Sequence, residues 1–576
     1  MKLLLLFPPI SDPMYPYLSL PSLAAFLRQN GYNVIQRDLN IEALNALLTK
    51  PRLQIFYKQA YSIFKELGNK KRLPPQERIK FERAVDALLL APSVINNIEK
   101  SKMVLRDKKY FYNYKQYRWG AGIFHDALKL ILRENYSYPV RLRVDSVTQL
   151  MSAIYDEQKN PFLEFFKEET VPSILKLAPD LVGISVTYYT QIVPGFALAR
   201  LIKEKMKNIH ICFGGKIISC LSERMLENKE LLSIADSFVI NEGEHALLKL
   251  IKRIENNKTI EDIPNLIFHN GNKFLKNKRT FIEDMNALPT PDFDGLPLTQ
   301  YFSPELTLPL LTSKGCYWGK CAFCNLHYVT QGEYYRPRDI SLIIEDIRNL
   351  SNKYNTKYFY FSDNAVSPGV LRDISRLIIK RKINICWQCE ARLEKDFTVD
   401  LCRLIAKAGC RNLTFGLESG SNRVLKSMHK GTNLKTIKAV LENRQQAEIN
   451  IDLQFFIGFP TETRQEANQT LDFIVKNKKL INSVSFGGPF LLYGDTKIFK
   501  SPREYGISRI YDKDADNLEL HYDYEVKSGM DMQEVNKACG EFRKKINKLY
   551  PDKLMYPCPG FNAHRLLYSS YYFNGQ

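Results

Sequence analysis

Three cysteines on one short loop constrain this chain more than any other feature of its sequence. Cys316 and Cys321 are separated by four residues, and Cys321 and Cys324 by two. Three thiolates placed in this way can ligate three irons of a cubane cluster and leave the fourth iron open to a substrate or cofactor. The loop therefore predicts an enzyme with radical chemistry.

A structural zinc site is the alternative interpretation, and such a site needs four ligands. The candidates for a fourth ligand are His327, Cys386 and Cys389. The last two lie in a segment, 383–390, that is typical of a strand, where residues three apart point to opposite faces. We therefore do not expect both to bind one ion, and we favour an iron–sulfur cluster over a zinc-binding module without catalysis.

Length and composition narrow the class of protein. The 576 residues, 45% of them hydrophobic, can bury large cores and suggest three or four domains. Eleven cysteines in a chain of this length do not form a dense disulfide framework, and their clustering favours metal binding in a reducing cytoplasm. A net charge of +20 comes without a stripe of Arg and Lys interleaved with aromatic residues, so a nucleic-acid partner is not expected.

Membrane insertion is not expected either. No apolar stretch reaches the roughly 18 residues that span a bilayer. The apolar start of the chain ends at Pro8, which is too early for a signal peptide, and Leu3–Phe7 is interpreted as a buried first strand.

The first region alternates strands with helices. Ser19 is expected to be the N-cap of the first helix, and a later helix is expected from about Gly195 to Met206. This alternation predicts an α/β fold with a doubly wound parallel sheet. A helical insertion rich in lysine and tyrosine, about 50–165, interrupts it. The sequence assigns it no chemistry, and the alternatives are a cap over the ligand, a wall of the substrate pocket or a scaffold. The predicted strands are Leu3–Phe7, Tyr32–Ile35, Leu181–Val186, Ile209–Phe213 and Ser237–Ile240.

Ligands of such sheets bind beyond the carboxyl ends of the strands. The alternative is that the glycines at these positions only form tight turns. A Walker P-loop and the G-x-G-x-x-G fingerprint are both absent from the sequence, which disfavours an ATP- or NAD-driven enzyme. The residues expected on this ligand-facing rim are Pro8, Ser185, Thr187, Gly214, Gly215, Glu242 and Gly243.

From Leu308 onward six further strand and helix units predict a partial (β/α) barrel. Barrels of this kind build their chemistry at the carboxyl rim of the strands. Asp363 and Ser419 could also be ordinary helix caps, but capping does not explain why several polar groups share a rim with the cysteine loop. The predicted strands are Leu308–Thr312, Tyr358–Phe361, Ile383–Glu390, Asn412–Gly416, Asp452–Ile457 and Ser483–Phe486, with helices near 339–354, 368–380, 398–408, 433–447 and 464–477. The polar groups expected on the rim are Ser362, Asp363, Asn364, Glu390, Arg392, Glu418 and Ser419.

These motifs resemble the cobalamin-binding class of the radical S-adenosylmethionine (SAM) superfamily. The resemblance covers most of residues 1–50 and 170–500. One departure is the first cysteine gap, which has four residues where three are most common in the family, and an extra loop residue can be absorbed without moving the thiolates. The motifs that carry the resemblance are 361–364 (FSDN), 416–421 (GLESGS), 430–432 (KGT), 458–463 (GFPTET) and 288–293 (LPTPDF).

The resemblance implies a cobalamin-binding Rossmann-like domain at 1–280, a radical SAM barrel at 281–500 and an aromatic-rich extension at 501–576. It implies that the three cysteines ligate a [4Fe-4S] cluster and that Phe323 packs near the adenine of SAM. Ser362 and Asp363 would face the methionine moiety. The remaining implied SAM residues are Glu390, Arg392, Glu418 and Ser419, and the rim residues of the first region would hold cobalamin.

The implied cobalt lacks a histidine ligand from the protein. None of the eight histidines lies in the Asp-x-His-x-x-Gly pattern that supplies one in many cobalamin proteins. His210 is interpreted as a packing residue of its strand. In the C-terminal region the many aromatic residues are expected to pack ordinarily, and the alternative is that they close the open side of the barrel and contact substrate.

The resemblance implies a cytoplasmic methyltransferase. A 5′-deoxyadenosyl radical would take a hydrogen from an unactivated carbon of a peptide or secondary-metabolite substrate, methylcobalamin would supply the methyl group, and flavodoxin or ferredoxin would supply electrons. A rearrangement, cyclisation or oxidation with the same cofactors is one alternative. A tRNA or protein methylthiotransferase is disfavoured, because a second cluster needs three ligands and residues 1–315 contain only Cys212 and Cys220.

Overall fold

The computed structural model describes residues 1–132, 142, 144–325, 335–550 and 562–573. Its first sheet has seven strands: β1 (Lys2–Phe7), β2 (Asn33–Asp38), β3 (Leu181–Ser185), β4 (His210–Gly214), β5 (Ser237–Val239), β6 (Leu266–His269) and β7 (Phe274–Lys276). Their order across the sheet is β2-β1-β3-β4-β5-β6-β7. β1 to β5 are parallel, and β6 and β7 add an antiparallel edge.

Both faces of this sheet are covered, as the unbroken apolar run of β1 requires. Leu3 and Leu5 pack into one core, together with the helices Ser19–Gln29 and Glu244–Glu255. Leu4 and Leu6 pack into the opposite core, together with Ile192–Lys205. The prediction of a doubly wound parallel sheet is confirmed.

The first helix does not begin as predicted. Leu18 occupies the N-cap position and Ser19 is the first helical residue, so no side chain caps this end. The Ser19 hydroxyl instead accepts a hydrogen bond from Ser185 Oγ at 3.0 Å. Ser19 is therefore a link between two elements at the carboxyl edge of the sheet, and it does not cap its own helix.

A helical insertion separates β2 from β3, as expected. Its longest helix runs through Pro92 without ending there. A large core shared with one face of the sheet holds the insertion in place. The helices between β2 and β3 are Leu39–Leu47, Lys50–Gly68, Pro75–Arg106, Lys108–Phe111, Tyr114–Leu132, Val147–Ala153, Leu163–Phe165 and Val171–Leu177, with a π-helical segment at Phe166–Thr170.

The second region is a partial barrel of six parallel strands: β8 (Thr307–Leu310), β11 (Tyr358–Phe361), β12 (Cys386–Arg392), β13 (Cys410–Glu418), β14 (Asn450–Ile457) and β15 (Ser483–Pro489). They are ordered β15-β14-β13-β12-β11-β8. A short hairpin of β9 (Ser313–Gly315) and β10 (Tyr335–Pro337) follows β8 and flanks the cysteine loop. The predicted partial (β/α)6 barrel is confirmed.

Six helices cover the outer face of the barrel: Ile340–Tyr354, Pro368–Lys380, Val399–Lys407, Leu434–Gln445, Arg464–Lys476 and Met532–Leu549. The sixth lies beyond residue 500, the predicted end of this domain. Val535 and Phe542 are buried in the barrel core, and the Phe542 ring lies 5.9 Å from that of Phe486 on β15. The predicted boundary at residue 500 therefore separates the barrel from its own sixth helix.

The helix Asn562–Phe573 closes the amino-terminal end of the barrel lumen. Ser569 Oγ donates to Asn412 Oδ1 at 2.7 Å and accepts from Asn450 Nδ2 at 2.8 Å. Arg565 lies 3.7 Å from Asp452 Oδ1. The predicted aromatic residues Tyr568, Tyr571 and Tyr572 belong to this helix, whereas Tyr556 and Phe561 lie outside the described residues.

The described chain also contains the strands β16 (Leu492–Tyr493), β17 (Ile507–Ile510), β18 (His521–Tyr522) and β19 (Tyr524–Val526), the helices Lys216–Glu227, Asn422–Ser427 and Lys497–Lys500, and the 3-10 helices Tyr189–Gln191, Lys229–Ser233, Lys478–Leu480 and Pro502–Tyr505. Within the described part of the chain, every helix is too short or too polar to cross a bilayer.

Candidate active site

A cavity of about 910 Å³ lies between the N-terminal sheet and the barrel. Residues that follow β3, β4 and β5 line one side of it, and residues of β8, β11 and β12 line the other. Gly315 and Asn325, which bracket the cysteine loop, also line it. The carboxyl ends of both sets of parallel strands therefore open onto one shared space, which is where each fold places its ligands.

Six of the seven predicted rim residues of the N-terminal sheet line this cavity: Ser185, Thr187, Gly214, Gly215, Glu242 and Gly243. Gly215 has a φ of +105°, and a Cβ at this position would lie 2.5 Å from the carbonyl oxygen of Val186. Only glycine fits this close approach, so the turn needs this residue whether or not a ligand is bound. Pro8 is the exception, since it lies off the cavity wall and its carbonyl accepts from Gln191 Nε2 at 2.6 Å.

Glu242 is at the cavity wall, but its carboxylate is already engaged by the protein. Arg336 donates to both of its oxygens, at 2.6 and 3.0 Å. Lys314 Nζ lies 2.9 Å from Oε1, and the backbone N–H of Glu283 donates to Oε2. These cations hold the pKa of Glu242 below its usual value against the opposing effect of burial. The side chain predicted to meet cobalamin thus joins the N-terminal sheet to the β9–β10 hairpin.

Two predicted SAM residues of the barrel line the cavity, Ser362 and Glu390. The Tyr360 hydroxyl lies 3.5 Å from Glu390 Oε1. Burial raises the pKa of Glu390 to about 7, and the charge of Asp452 adds to this effect. A carboxyl group that is partly protonated near neutral pH can both accept and donate a hydrogen bond to a bound ligand.

Asp363 and Ser419 are not on the described wall of this cavity, and their predicted contacts with SAM stay predictions. Asp363 is buried, and its carboxylate accepts from the N–H and hydroxyl of Thr312 and from the hydroxyl of Ser313. It therefore fixes the turn that leads from β8 into the hairpin. Ser419 is fully buried, and its hydroxyl accepts from the N–H of Ser421.

The cysteine loop begins directly after the hairpin strand β9. Cys316, Cys321 and Cys324 are partly buried, and none is in a disulfide. The N–H of Cys324 bonds to the carbonyl of Cys321 at 3.3 Å, which closes a tight turn between the last two thiols. Burial raises the pKa of Cys321, and the charges of Lys430 and Arg392 oppose this effect.

Arg392, Glu418 and Phe323 make contacts within the protein. Arg392 Nη2 donates to the carbonyl of Lys430 at 2.7 Å. Lys430 Nζ in turn donates to Glu418 Oε1 at 2.7 Å. The Phe323 ring packs 5.2 Å from that of Phe456. Phe323 belongs to the cysteine loop and Arg392 and Glu418 lie near it, but none of the three is on the described cavity wall.

The donor set fits an iron–sulfur cluster. Three thiols that are not in disulfides lie on one loop, and two buried cationic side chains, Lys430 and Arg392, lie near Cys321. Among the described residues, no three His, Cys, Asp or Glu side chains converge on the position of a single ion. A cubane does not require such convergence, because each thiolate binds a different iron.

The proposed zinc ligands are separated as the strand period predicts. Cys386 packs into the core beside the insertion, whereas Cys389 packs into the outer core of the barrel. His327 lies outside the described residues. His210 is at the start of β4, away from the carboxyl rim, and its Nε2 is 2.8 Å from Ser237 Oγ. Burial lowers the pKa of His210 to about 4, in keeping with a packing role.

The sequence analysis missed several residues of the cavity wall. Tyr15 and Tyr17 follow β1, and Tyr188 follows β3. The ring of Tyr17 stacks on Phe7 at 5.1 Å and meets Tyr188 edge-on at 5.6 Å. A Tyr-Pro-Tyr run between the buried strand β1 and the first helix was a signal that could have found two of them. Asn562 reaches the cavity from the far C-terminal helix, and local sequence carries no sign of this contact.

Comparison with known proteins agrees with this geometry. Residues 310–474 match the family model of the radical SAM superfamily. An uncharacterized methyltransferase of Pyrococcus horikoshii is 28% identical over 308 residues, which cover 53% of this chain and 65% of the relative. The 4'-phospho-dehydrooxetanocin synthase of Priestia megaterium is 26% identical over 397 residues, covering 62% and 52%. The chain thus spans about half to two thirds of the length of these relatives.

Solved structures share the fold over most of the chain. The cobalamin-dependent SAM radical enzyme OxsB, solved with aqua-cobalamin and SAM, superposes with a TM-score of 0.61 at 16% identity, covering 95% of this chain and 67% of that one. The radical SAM methyltransferase TsrM from Kitasatospora setae gives 0.55 at 14% identity, covering 99% and 88%. At such low sequence identity, the similarity to these two structures shows a shared fold and nothing further.

Proposed function

We propose that this chain, whose residues 310–474 form a radical SAM domain, is a cobalamin-dependent radical SAM enzyme that methylates an unactivated carbon. The observation that supports this proposal most directly is the shared cavity of about 910 Å³. The loop that would bear the cluster and the sheet edge that would bear the cobalamin open onto the same space. A reaction that needs both cofactors close to one substrate requires this arrangement.

Each cofactor has residues that could hold it. Cys316, Cys321 and Cys324 would ligate the [4Fe-4S] cluster and leave one iron open. Ser362 and Glu390 would contact SAM from the cavity wall. When bound, the cluster would supply one-electron cleavage of SAM to a 5′-deoxyadenosyl radical, and the cobalamin would supply transfer of a methyl group from cobalt. The protein positions the reactants and keeps water away from them.

The sheet edge is suited to a flat, hydrophobic macrocycle such as a corrin. Gly214, Gly215 and Gly243 leave the edge free of bulky side chains, and Tyr17 and Tyr188 offer aromatic surface. The described cavity wall contains no histidine. We therefore propose that cobalamin binds here without an imidazole ligand from the protein.

A second product class stays open with the same cofactors. The relative from Priestia megaterium is named a synthase rather than a methyltransferase, so a rearrangement, cyclisation or oxidation is an alternative outcome of the radical step. A peptide or a secondary-metabolite intermediate is the proposed substrate. A one-electron donor such as flavodoxin or ferredoxin is the proposed partner, in a cytoplasmic setting.

Anaerobic reconstitution with iron, sulfide and hydroxocobalamin tests the proposal. The expected result is about four irons and one cobalt per chain, with 5′-deoxyadenosine released from SAM after addition of a reductant. Cys321→Ala should abolish deoxyadenosine formation, because it removes one thiolate ligand. Cys539→Ala, which removes a buried thiol from the sixth barrel helix, is the matched control and should retain it. A protein that takes up no cobalamin, or a Cys321→Ala variant that still forms deoxyadenosine, would contradict the proposal.

A further inference from the structure

The segment between Cys316 and Cys321, which is one residue longer than is most common in the family, has a defined structural role. It contains Tyr317, Trp318, Gly319 and Lys320. Gly319 has a φ of +59°, which turns the loop back on itself. The Trp318 indole N–H donates to the carbonyl of His429 at 2.9 Å. The loop therefore holds an aromatic ring, fixed by this hydrogen bond, next to the thiols.

Gly431 provides the space for this ring. It has a φ of +72°, and a Cβ at this position would lie 2.1 Å from Cζ2 of Trp318. Any side chain here would expel the indole. The glycine and the tryptophan thus form a matched pair from two distant parts of the barrel, which indicates that the position of the ring is specified.

The indole ring also packs against Arg392. The guanidinium carbon lies 4.3 Å from the ring centroid, and the side chain is almost completely buried. Its Nη2 is fixed by the carbonyl of Lys430, and its Nη1 lies 3.9 Å from Cys321 Sγ, within hydrogen-bonding range for sulfur. Arg392 therefore presents a permanent positive charge and an N–H group to one of the three thiols.

We propose that Trp318 and Arg392 form a clamp that raises the reduction potential of a cluster ligated by Cys321. The inference rests on the proposed function, because it requires a cluster on this loop. Reduction adds one electron to the cluster, so a fixed positive charge and an N–H donor at a ligand sulfur stabilise the reduced state more than the oxidised state. In this account Arg392 is a positioning and tuning residue rather than a ligand of the SAM carboxylate.

A redox titration followed by electron paramagnetic resonance tests the clamp. Wild-type protein, Arg392→Met and Arg376→Met are reconstituted, assayed for iron and sulfide, and reduced with dithionite as the one-electron donor. In Arg392→Met we expect the ratio of reduced to oxidised cluster at a fixed potential to fall about tenfold, which is about 59 mV for one electron. Arg376 is exposed on the helix Pro368–Lys380, so its variant loses the same charge far from the loop and should titrate like the wild type.

A second variant, Trp318→Leu, keeps every charge and removes only the ring that holds the guanidinium. We expect it to shift in the same direction by about threefold, or about 28 mV. An unchanged potential in fully loaded Arg392→Met, an equal shift in Arg376→Met, or loss of iron from Arg392→Lys, which preserves the charge, would each overturn the clamp. Wild-type protein that binds no iron would instead refute the proposed function, and the clamp with it.

Discussion

Glu390 lies on the cavity wall, and its ionisation makes the stability of the folded protein depend on pH. Its pKa is raised from 4.5 to about 7, mainly by burial and then by the charge of Asp452, while Tyr360 and Arg565 oppose the shift. The folded state therefore holds this proton more tightly than the unfolded chain does. Its stabilising contribution is complete below about pH 4.5 and is lost as the pH rises through 7.

Replacement of Glu390 by glutamine should remove this dependence, because an amide does not ionise. We expect the difference in the free energy of unfolding, Glu390→Gln minus wild type, to increase by about 2.5 kcal/mol between pH 5 and pH 8. Anaerobic urea denaturation of the apo-protein at the two pH values measures it. The exposed Glu345→Gln variant is the control, and an effect of Glu390→Gln that is equal at both pH values would contradict the assignment.

The hairpin β9–β10 is the element that couples the two sheets. Lys314 and Arg336, one from each of its strands, converge on the buried Glu242 of the N-terminal sheet. Lys314 is two residues before Cys316, so the contact that joins the sheets also positions the start of the cysteine loop.

Loss of this carboxylate would remove the negative charge that Lys314 and Arg336 share at a largely buried site, although Glu244 would stay 3.9 Å from Lys314 Nζ. We expect Glu242→Gln to lower the free energy of unfolding by about 3 kcal/mol. The exposed Glu223, paired with Lys276, offers a matched control, and Glu223→Gln should cost less than about 1 kcal/mol. Equal effects of the two substitutions in chemical denaturation would show that the buried link does not stabilise the fold.

Local pattern was sufficient to predict most elements of both sheets but not how they meet. The parallel strands are apolar segments between amphipathic helices, a signal that lies within each segment. The start of β12 was placed three residues early, because Ile383 still bonds to Ile378 at the end of the preceding helix. Asp363 bonds to Thr312, which is 51 residues away in the sequence, and Glu242 bonds to Arg336, which is 94 residues away. Contacts over such distances depend on the assembled fold, so the rim residues were found and their neighbours were not.

The helix Asn562–Phe573 contacts three separate parts of the chain. His564 Nε2 donates to the carbonyl of Phe302, and its Nδ1 lies 3.2 Å from the Tyr117 hydroxyl of the insertion. Burial lowers the pKa of His564 to about 3, so the imidazole is neutral in this role. Ser569 binds the floor of the barrel lumen, and Asn562 reaches the cavity. The helix thus ties the insertion to the underside of the active site.

Tyr568 is the centre of this junction and the place to test it. Its ring is buried and lies 5.0 Å from Phe111 and 4.8 Å from Tyr117. Truncation to alanine would leave a cavity beside the rings of Phe111 and Tyr117, so we expect Tyr568→Ala to lower the free energy of unfolding by about 3–5 kcal/mol. Tyr61→Ala, at a half-exposed tyrosine of the same insertion, should cost less than about 1 kcal/mol.

Hydrogen exchange distinguishes a shared junction from a local packing defect. If the helix couples the parts, Tyr568→Ala should accelerate exchange both in the insertion helix Tyr114–Leu132 and in the barrel strand β13, because each packs against Asn562–Phe573. A change confined to the C-terminal helix would mean that the insertion and the barrel floor are held by their own cores. The floor of the active-site cavity would then be independent of the insertion, and substitutions in the insertion would not change the environment of Glu390.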